Sequence, residues 1–311
     1  MKHFAILADA TCDLGEAYQK QYDLHILPGH ITLPDKTELP SPMKWDKVSR
    51  EEFYSKLKKD PNGYTTAPPN TAAFAESMEA IVADGTELLV MTISGGMSGT
   101  YQFAVTAAKQ VLKKYPEANI RCVDTLRFGP GFGLMVIHAA RLRDEGKTLD
   151  EAVEYLEENK NRFHQAGWLD DLSFVAKKGR LTNAKAFFGT LAGIKPLGEF
   201  DYNGLTTVIG KAKGAKAAYA VLLEYIAQTI ENPEEQTMFI AQTNRMPQAE
   251  VFKQMIIDRF HPKEIFINDV FPACGINIGP GLMAAYYVGK PISKDLSEEK
   301  AIIEKALVGS N

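Results

Sequence analysis

The sequence predicts two α/β domains, the first built on a mostly parallel sheet. Three observations carry this. Short apolar runs alternate with helix-like stretches from residue 4 to residue 145, and strand–loop–helix units of that kind give a parallel sheet with helices on its faces. After Trp168 the pattern changes to shorter strands and turns. The 311 residues exceed the about 250–300 at which single cores stop growing. The expected domains are residues 1–165 and 166–311, with the final helix as a candidate to return to the first.

Each element has its own reason. Phe4 to Ala8 is a wholly apolar strand that ends at Asp9, followed by the small polar residues of an α/β loop. Gly15 to Tyr22 fits a short helix, and Leu24 to Leu33 is extended, with Pro28 and Pro34 as breaks. Residues 34 to 48 read as irregular. Ser49 caps a helix with Glu52 at its third position, burying Phe53, Leu57 and Tyr54 and stopping near Asp60-Pro61-Asn62-Gly63. Thr65 to Thr71 reads as a loop into a helix from Ala72 to Asp84. Leu88 to Ile93 is the next strand, Tyr101 to Lys114 a helix, Ile120 to Asp124 a third strand and Gly133 to Glu145 a helix. Leu149 to Arg162 is amphipathic, with Ala152, Val153 and Leu156 at helical spacing. Beyond Trp168 come a turn at Lys178-Gly179-Arg180, a helix over Ala184–Ala192, a strand region over Lys195–Thr207 and a helix from Ala215 to Glu231. A strand from Met238 to Gln242, a helix from Gln248 to Phe260 and a strand from Glu264 to Asn268 follow. The tail is read as Gly279-Pro280-Gly281 and a helix through Tyr287.

Composition narrows the function. Hydrophobic residues make up 45% and charged residues 24%, ordinary globular values. The net charge of −4 and the absence of a basic stripe argue against nucleic acid. Lys177-Lys178-Gly179-Arg180 is too short to be one and reads as a solvated turn. Three cysteines without CxxC spacing form neither a disulfide framework nor a zinc site; Cys122 reads as buried filler and Cys12 as a weak thiol candidate. No signal peptide and no run of about 18 apolar residues is seen, so a cytoplasmic protein without a transmembrane segment is expected.

The strongest local feature is the strand–turn–helix junction Ser94-Gly95-Gly96-Met97-Ser98-Gly99-Thr100. A Gly-rich turn opening a helix exposes amide donors and a positive dipole end, which suit a carboxylate or phosphate. It lacks a P-loop Lys. Gly96-Met97-Ser98 begins a nucleophile elbow, but Thr100 stands where G-x-S-x-G needs its last Gly. A plain helix cap by Ser98 or Thr100 fits these residues as well as an anion site does. Thr65-Thr66 supplies a second hydroxyl loop that would converge on the same sheet edge. Asp9, Asp13, Asp124, Asp170 and Asp171 read as loop-capping acids rather than metal ligands. The six histidines lack ligand spacing, so neither a metal nor a cofactor is expected.

These motifs together resemble the DegV family of bacterial fatty-acid-binding proteins. Asp9-Ala10-Thr11-Cys12-Asp13-Leu14 is similar to its D-S-x-x-D-L, and Thr65-Thr66-Ala67-Pro68 to T-S-Q-P. Ile93-Ser94-Gly95-Gly96-Met97-Ser98-Gly99-Thr100-Tyr101-Gln102 is similar to I-S-S-x-L-S-G-T-Y-Q, the most specific piece. Asp124-Thr125 with Gly129, Gly131 and Gly133 resembles the D-S…G-x-G segment. Lys178-Gly179-Arg180-Leu181 resembles K-G-R-I, Gly193-Ile194-Lys195-Pro196 resembles x-I-K-P, and Gly279-Pro280-Gly281 resembles the end of H-x-G-P-G. The resemblance implies a ligand tunnel between two α/β domains, holding a long-chain fatty acid. It implies a carboxylate bound by Thr65 and Ser94, with Gly95, Ser98 and Asn277 beside it, and Arg180 and Lys213 supplying charge or facing the partner. That partner would be a fatty-acid kinase making an acyl phosphate, the binding protein itself being no enzyme. Asn277 replaces the family's His, Lys213 its Arg, Gln242 another His, and Thr66 and Ala67 its Ser and Gln. Two rival readings are a serine-dependent acyl hydrolase or transferase using Ser94 or Ser98, and a binder of another small carboxylate or phosphate.

Overall fold

The computed structural model describes residues 4–41, 45, 48–182 and 193–309. The chain divides into two compact units. One comprises Met1–Lys44, Gly63–Lys160 and Phe271–Ala273; the other comprises Trp45–Asn62, Asn161–Val270 and Cys274–Asn311.

The first unit is built on four parallel strands: β1 (Phe4–Asp9), β2 (His25–Leu27), β6 (Glu87–Thr92) and β7 (Ile120–Asp124), in the order β2-β1-β6-β7. Helices α3 (Thr71–Val82) and α4 (Thr100–Lys114) bury Phe74, Met78, Ala104 and Val111 against Leu7, Leu88 and Val90. Helices α5 (Gly129–Asp144) and α6 (Leu149–Asn159) pack against β1, β6 and β7. Strands buried on both faces need not alternate polar and apolar residues, which is why β1 and β6 read as continuous apolar runs. Two helix starts follow local side-chain chemistry. Asn70 Oδ1 accepts the Ala73 N–H at 2.9 Å ahead of α3, and Thr148 and Glu151 form a reciprocal capping box ahead of α6.

A small antiparallel sheet, β4-β3-β5, belongs to the same unit: β3 (His30–Thr32), β4 (Glu38–Pro40) and β5 (Thr65–Ala67). Here the structure corrects the sequence reading twice. Residues 34–48 are not wholly irregular, since β4 pairs with β3, and Thr65–Ala67 is an edge strand, not a loop. Pairing with β3 decided both, as a neighbouring hairpin partner for β4 and a distant partner for β5.

The second unit contains α2 (Arg50–Lys59), capped by Ser49 as expected, with Phe53, Tyr54 and Leu57 buried. Its six-stranded sheet runs β10-β9-β8-β13-β11-β12. The strands are β8 (Phe163–Leu169), β9 (Ile194–Phe200), β10 (Thr206–Lys213), β11 (Thr237–Gln242), β12 (Glu264–Asp269) and β13 (Leu282–Val288). Only β11 and β12 pair in parallel. Helices α7 (Ser173–Lys177), α8 (Gly214–Thr229), α9 (Met246–Phe260), α10 (Pro272–Ile278, of which Cys274–Ile278 belong to this unit) and α11 (Ser297–Gly309) complete the order. The final helix, α11, lies against α8 and β10, where the Ile303 side chain fills the space that a Cβ on Gly210 would occupy.

Three further readings change here. The segment to Tyr287 is not helical: Leu282–Val288 is an inner strand, paired antiparallel to β8 on one side and β11 on the other. Its Leu, Met and Ala are good helix formers, but two ladders plus burial override that preference. The strand region after Lys195 is two antiparallel strands, because Asp201 accepts the Asn203 and Leu205 amides and folds the chain back at Gly204. The new pattern begins at Phe163, not Trp168, for β8 is buried along its whole length and shows no period-two signal. The expected helix over Ala184–Ala192 lies outside the described residues. Among the described residues, no helix is long and apolar enough to cross a membrane.

Candidate functional site

In the first unit the chain leaves β1 toward β2 on one side, and leaves β6 toward β7 on the other. The carboxyl ends of β1 and β6 therefore flank the point where strand order reverses, the ordinary ligand position in an open parallel sheet. The loops after these strands are stitched together by carboxylates. Asp9 Oδ2 accepts the Ile93 N–H at 2.7 Å, and Asp9 Oδ1 accepts the Thr11 amide at 2.9 Å and its hydroxyl. Burial pushes the Asp9 carboxyl above its usual range, opposed by those same donors. Asp124, ending β7, accepts the Gly95 N–H on both oxygens at 3.1 Å and the Leu126 N–H at 3.0 Å. A Cβ on Gly95 would lie 2.6 Å from Asp124 Oδ2, so a larger residue there would displace that carboxylate. Asp9 and Asp124 thus hold loops, as expected.

The turn itself is compact. Ser94 is fully buried; its N–H donates to the Arg127 carbonyl at 2.9 Å and its carbonyl accepts the Met97 and Ser98 amides. Its hydroxyl accepts the Gly96 N–H at 3.1 Å, leaving the hydroxyl proton to donate elsewhere. The Ser98 and Thr100 hydroxyls meet at 2.8 Å. The cap residue of α4 is Gly99, and no side chain caps the helix. This corrects the simple cap reading: among the described residues, the Ser98 and Thr100 hydroxyls pair with each other rather than with the first-turn amides. Among the described residues, neither the Ser94 nor the Ser98 hydroxyl meets an imidazole or a carboxylate. Cys12 is fully buried and burial pushes its thiol up; the Cys122 thiol is pushed up to about 12. Neither is an activated nucleophile at neutral pH.

Helix α5 closes on this edge through Gly133, where an added Cβ would lie 2.4 Å from the Cys12 carbonyl oxygen. Gly133→Ala is expected to cost about 1–3 kcal/mol of stability by overpacking against fixed backbone. Urea denaturation reads this, and an unchanged midpoint would mean that α5 shifts freely.

The structure gathers Ser94, Gly95 and Ser98 into one turn. Thr65 stands on the exposed edge strand β5, paired with Thr32. The remaining predicted residues belong to the second unit. Asn277 is half-buried in the last turn of α10, just before Gly279-Pro280-Gly281. Lys213 ends β10, exposed. Arg180 donates to the Lys178 carbonyl of its own turn. Gln242 is buried, its Oε1 accepting the Arg245 N–H at 2.6 Å, so it caps the start of α9.

Sequence reasoning missed one charged group. Asp170 is no simple loop cap: Lys195 Nζ reaches it at 2.5 Å and Arg245 Nη2 at 2.6 Å. Burial alone would raise the Asp170 carboxyl, but these two cations outweigh it and hold it below the usual carboxylate range. Arg245 is 75 residues away, so no local signal announces the pair. Asp171 does cap locally, accepting the Ser173 N–H at 2.8 Å. Among the described residues, no group of three or more His, Cys, Asp or Glu side chains is arranged to hold a metal ion.

The family described as "Uncharacterised protein, DegV family" matches residues 3–290. A DegV domain-containing protein of Clostridium perfringens is 33% identical over 289 residues, 93% of this chain and 98% of its own length. Among solved structures, a DegV family protein from Thermus thermophilus described by its fatty-acid binding shares the fold with a TM-score of 0.82 at 23% identity. That match covers 92% of this chain and 99% of that one. A stearic acid-binding protein from Eubacterium ventriosum gives a TM-score of 0.79 at 19% identity, covering 92% and 98%.

Proposed function

The chain belongs to the DegV family, and from that premise we propose that it buries one long-chain fatty acid and presents the carboxyl end to a partner fatty-acid kinase, with no catalysis of its own. One observation carries the reading: the buried Ser94 hydroxyl, its lone pair engaged by Gly96, stands at the switch point beside a helix end that no side chain caps. A carboxylate removed from water needs several donors, and the Ser94 proton with the α4 amides would supply them. Thr65 and Asn277 are the further donors. Relatives of the same fold bind fatty acids. The buried acyl chain would gain about 0.8 kcal/mol per CH₂. Ser94 and Ser98 act as donors in this reading, and among the described residues no imidazole or carboxylate meets either hydroxyl.

Mass spectrometry of lipids released from freshly purified, denatured protein tests the proposal. A co-purified long-chain fatty acid is expected. Finding none, with no oleate binding in titration, would overturn it.

The hand-off to the kinase is expected to be slow. Asn277 donates only neutral hydrogen bonds, about half as strong as charge-assisted ones, and Gln242 is committed to α9. Lys213 keeps its charge but lacks the two-pronged guanidinium. Negative charge builds at the carboxyl end during phosphoryl transfer, so cationic donors there matter most. Asn277→His with Lys213→Arg is expected to raise acyl-phosphate formation roughly tenfold, or ~1.4 kcal/mol, in an assay with a kinase from the same host. Unchanged turnover would count against it.

A further inference from the structure

The glycine-rich turn of the first unit is held by a carboxylate on either side of Ser94. Asp9 Oδ2 accepts the Ile93 N–H at 2.7 Å, and Asp124 accepts the Gly95 N–H on both oxygens at 3.1 Å. Asp9 is buried and Asp124 half-buried, while Gly95, Gly96 and Gly99 are exposed. The charge of Asp124 also reaches the first turn of α4: burial first, then Cys122, Asp124 and Glu157, push the Tyr101 hydroxyl up. The run Ile93–Gln102 itself contains neither lysine nor arginine. In the adjoining loop Arg127 is buried, its guanidinium donating to the Leu126 carbonyl at 2.7 Å. Phosphate recognition ordinarily sets lysine or arginine beside the amide donors. This turn carries amides and hydroxyls with acids behind them.

We propose that Asp124, with Asp9 on the other side, makes this turn selective for a singly charged carboxylate over a doubly charged phosphate. The proposal rests on the fatty-acid reading above and uses the turn of the first unit alone. Coulomb repulsion grows with the product of the charges. A phosphate monoester carries close to two charges above its second ionisation at about pH 6. It is therefore repelled by the two acids about twice as strongly as a carboxylate is. A site can reject a competitor by such repulsion as well as by attraction to the preferred ligand. Water and salt at the half-buried Asp124 weaken the effect, leaving a preference on the order of tenfold. The same repulsion would favour release of an acyl phosphate once the partner has made it.

Calorimetric titration of the delipidated full chain at about pH 8 tests this with three ligands: palmitate, hexadecyl phosphate and hexadecyl methyl phosphate, which has the phosphate's shape but a single charge. The wild type is expected to bind hexadecyl phosphate about tenfold more weakly than either singly charged ligand. In Asp124→Asn the side-chain Oδ1 can still accept the Gly95 and Leu126 amides, so the turn keeps its grip while the charge goes. That variant should bind both acids more tightly, the phosphate more so, narrowing the preference roughly tenfold. An unchanged preference in an Asp124→Asn protein that melts at the wild-type temperature would overturn the proposal. If that variant does not fold, the wild type decides: equal affinity for hexadecyl phosphate and its methyl ester overturns the proposal, while tight palmitate binding leaves the fatty-acid reading standing. A wild type that binds none of the three overturns both.

Discussion

With Ser94→Ala and Thr65→Ala combined, palmitate affinity is expected to fall roughly a hundredfold or more. Each substitution removes a donor to a charged group, worth about 1.5–3 kcal/mol. Ser94 is the stronger member because it is fully buried, where a carboxylate has no water to replace the lost bond. Ser94→Ala also strands the Gly96 N–H and loosens the turn that aims the α4 amides. Thr65 lies on an exposed strand, and its loss should be the smaller of the two. Titration of the delipidated variants against palmitate and its methyl ester separates the effects. The ester has no charge to hold and should lose less. Wild-type palmitate affinity in the double variant would refute the head-group assignment.

Glu199→Ala is expected to cost about 3–5 kcal/mol of stability, because it removes a buried acceptor shared by several donors and each buried group left unsatisfied costs about 1–3 kcal/mol. Glu199 and His164 lie in the core of the second unit with side-chain exposures of 0% and 1%. Glu199 Oε1 accepts the Gln165 and Phe200 amides at 2.6 and 2.7 Å; Oε2 faces His164 Nδ1 at 2.8 Å and accepts the Tyr225 hydroxyl at 2.9 Å. The other ring nitrogen, Nε2, faces the Lys290 carbonyl at 2.8 Å. Both ring nitrogens thus face oxygens. Tyr287 stacks on it at 5.0 Å, its own hydroxyl paired with Thr229 at 2.7 Å. Burial first, and the Glu199 charge second, push the Tyr225 and Tyr287 hydroxyls far up, so both stay protonated donors. Removing the carboxylate takes away the acceptor of the Gln165 amide and the Tyr225 phenol. Urea denaturation measures the cost, and a loss below about 1 kcal/mol would show that water enters the cavity and replaces the carboxylate.

What was legible in the sequence was local. The Ser49 cap, the apolar runs of β1 and β6 and the turn at Ser94–Gly99 each depend on residues within a few positions of one another. Helix and turn chemistry acts at that range, so the α/β class, the parallel first sheet and the glycine-rich turn as a candidate anion site all follow from short runs of residues. The resemblance to the DegV family rested on the same short strings.

Tertiary structure alone decided the rest. Leu282–Val288 carries helix-favouring residues and becomes a strand only because β8 and β11 flank it. Thr65 leaves its loop for an edge strand because β3 is there to pair with. Asp170 becomes an ion-pair centre through an arginine 75 residues on, and Asp9 reaches an amide 84 residues away. Strand pairing and buried charge are satisfied across the fold rather than along the chain. Their free energy depends on which distant partner arrives and how much water leaves, and neither quantity is written in a local run of residues.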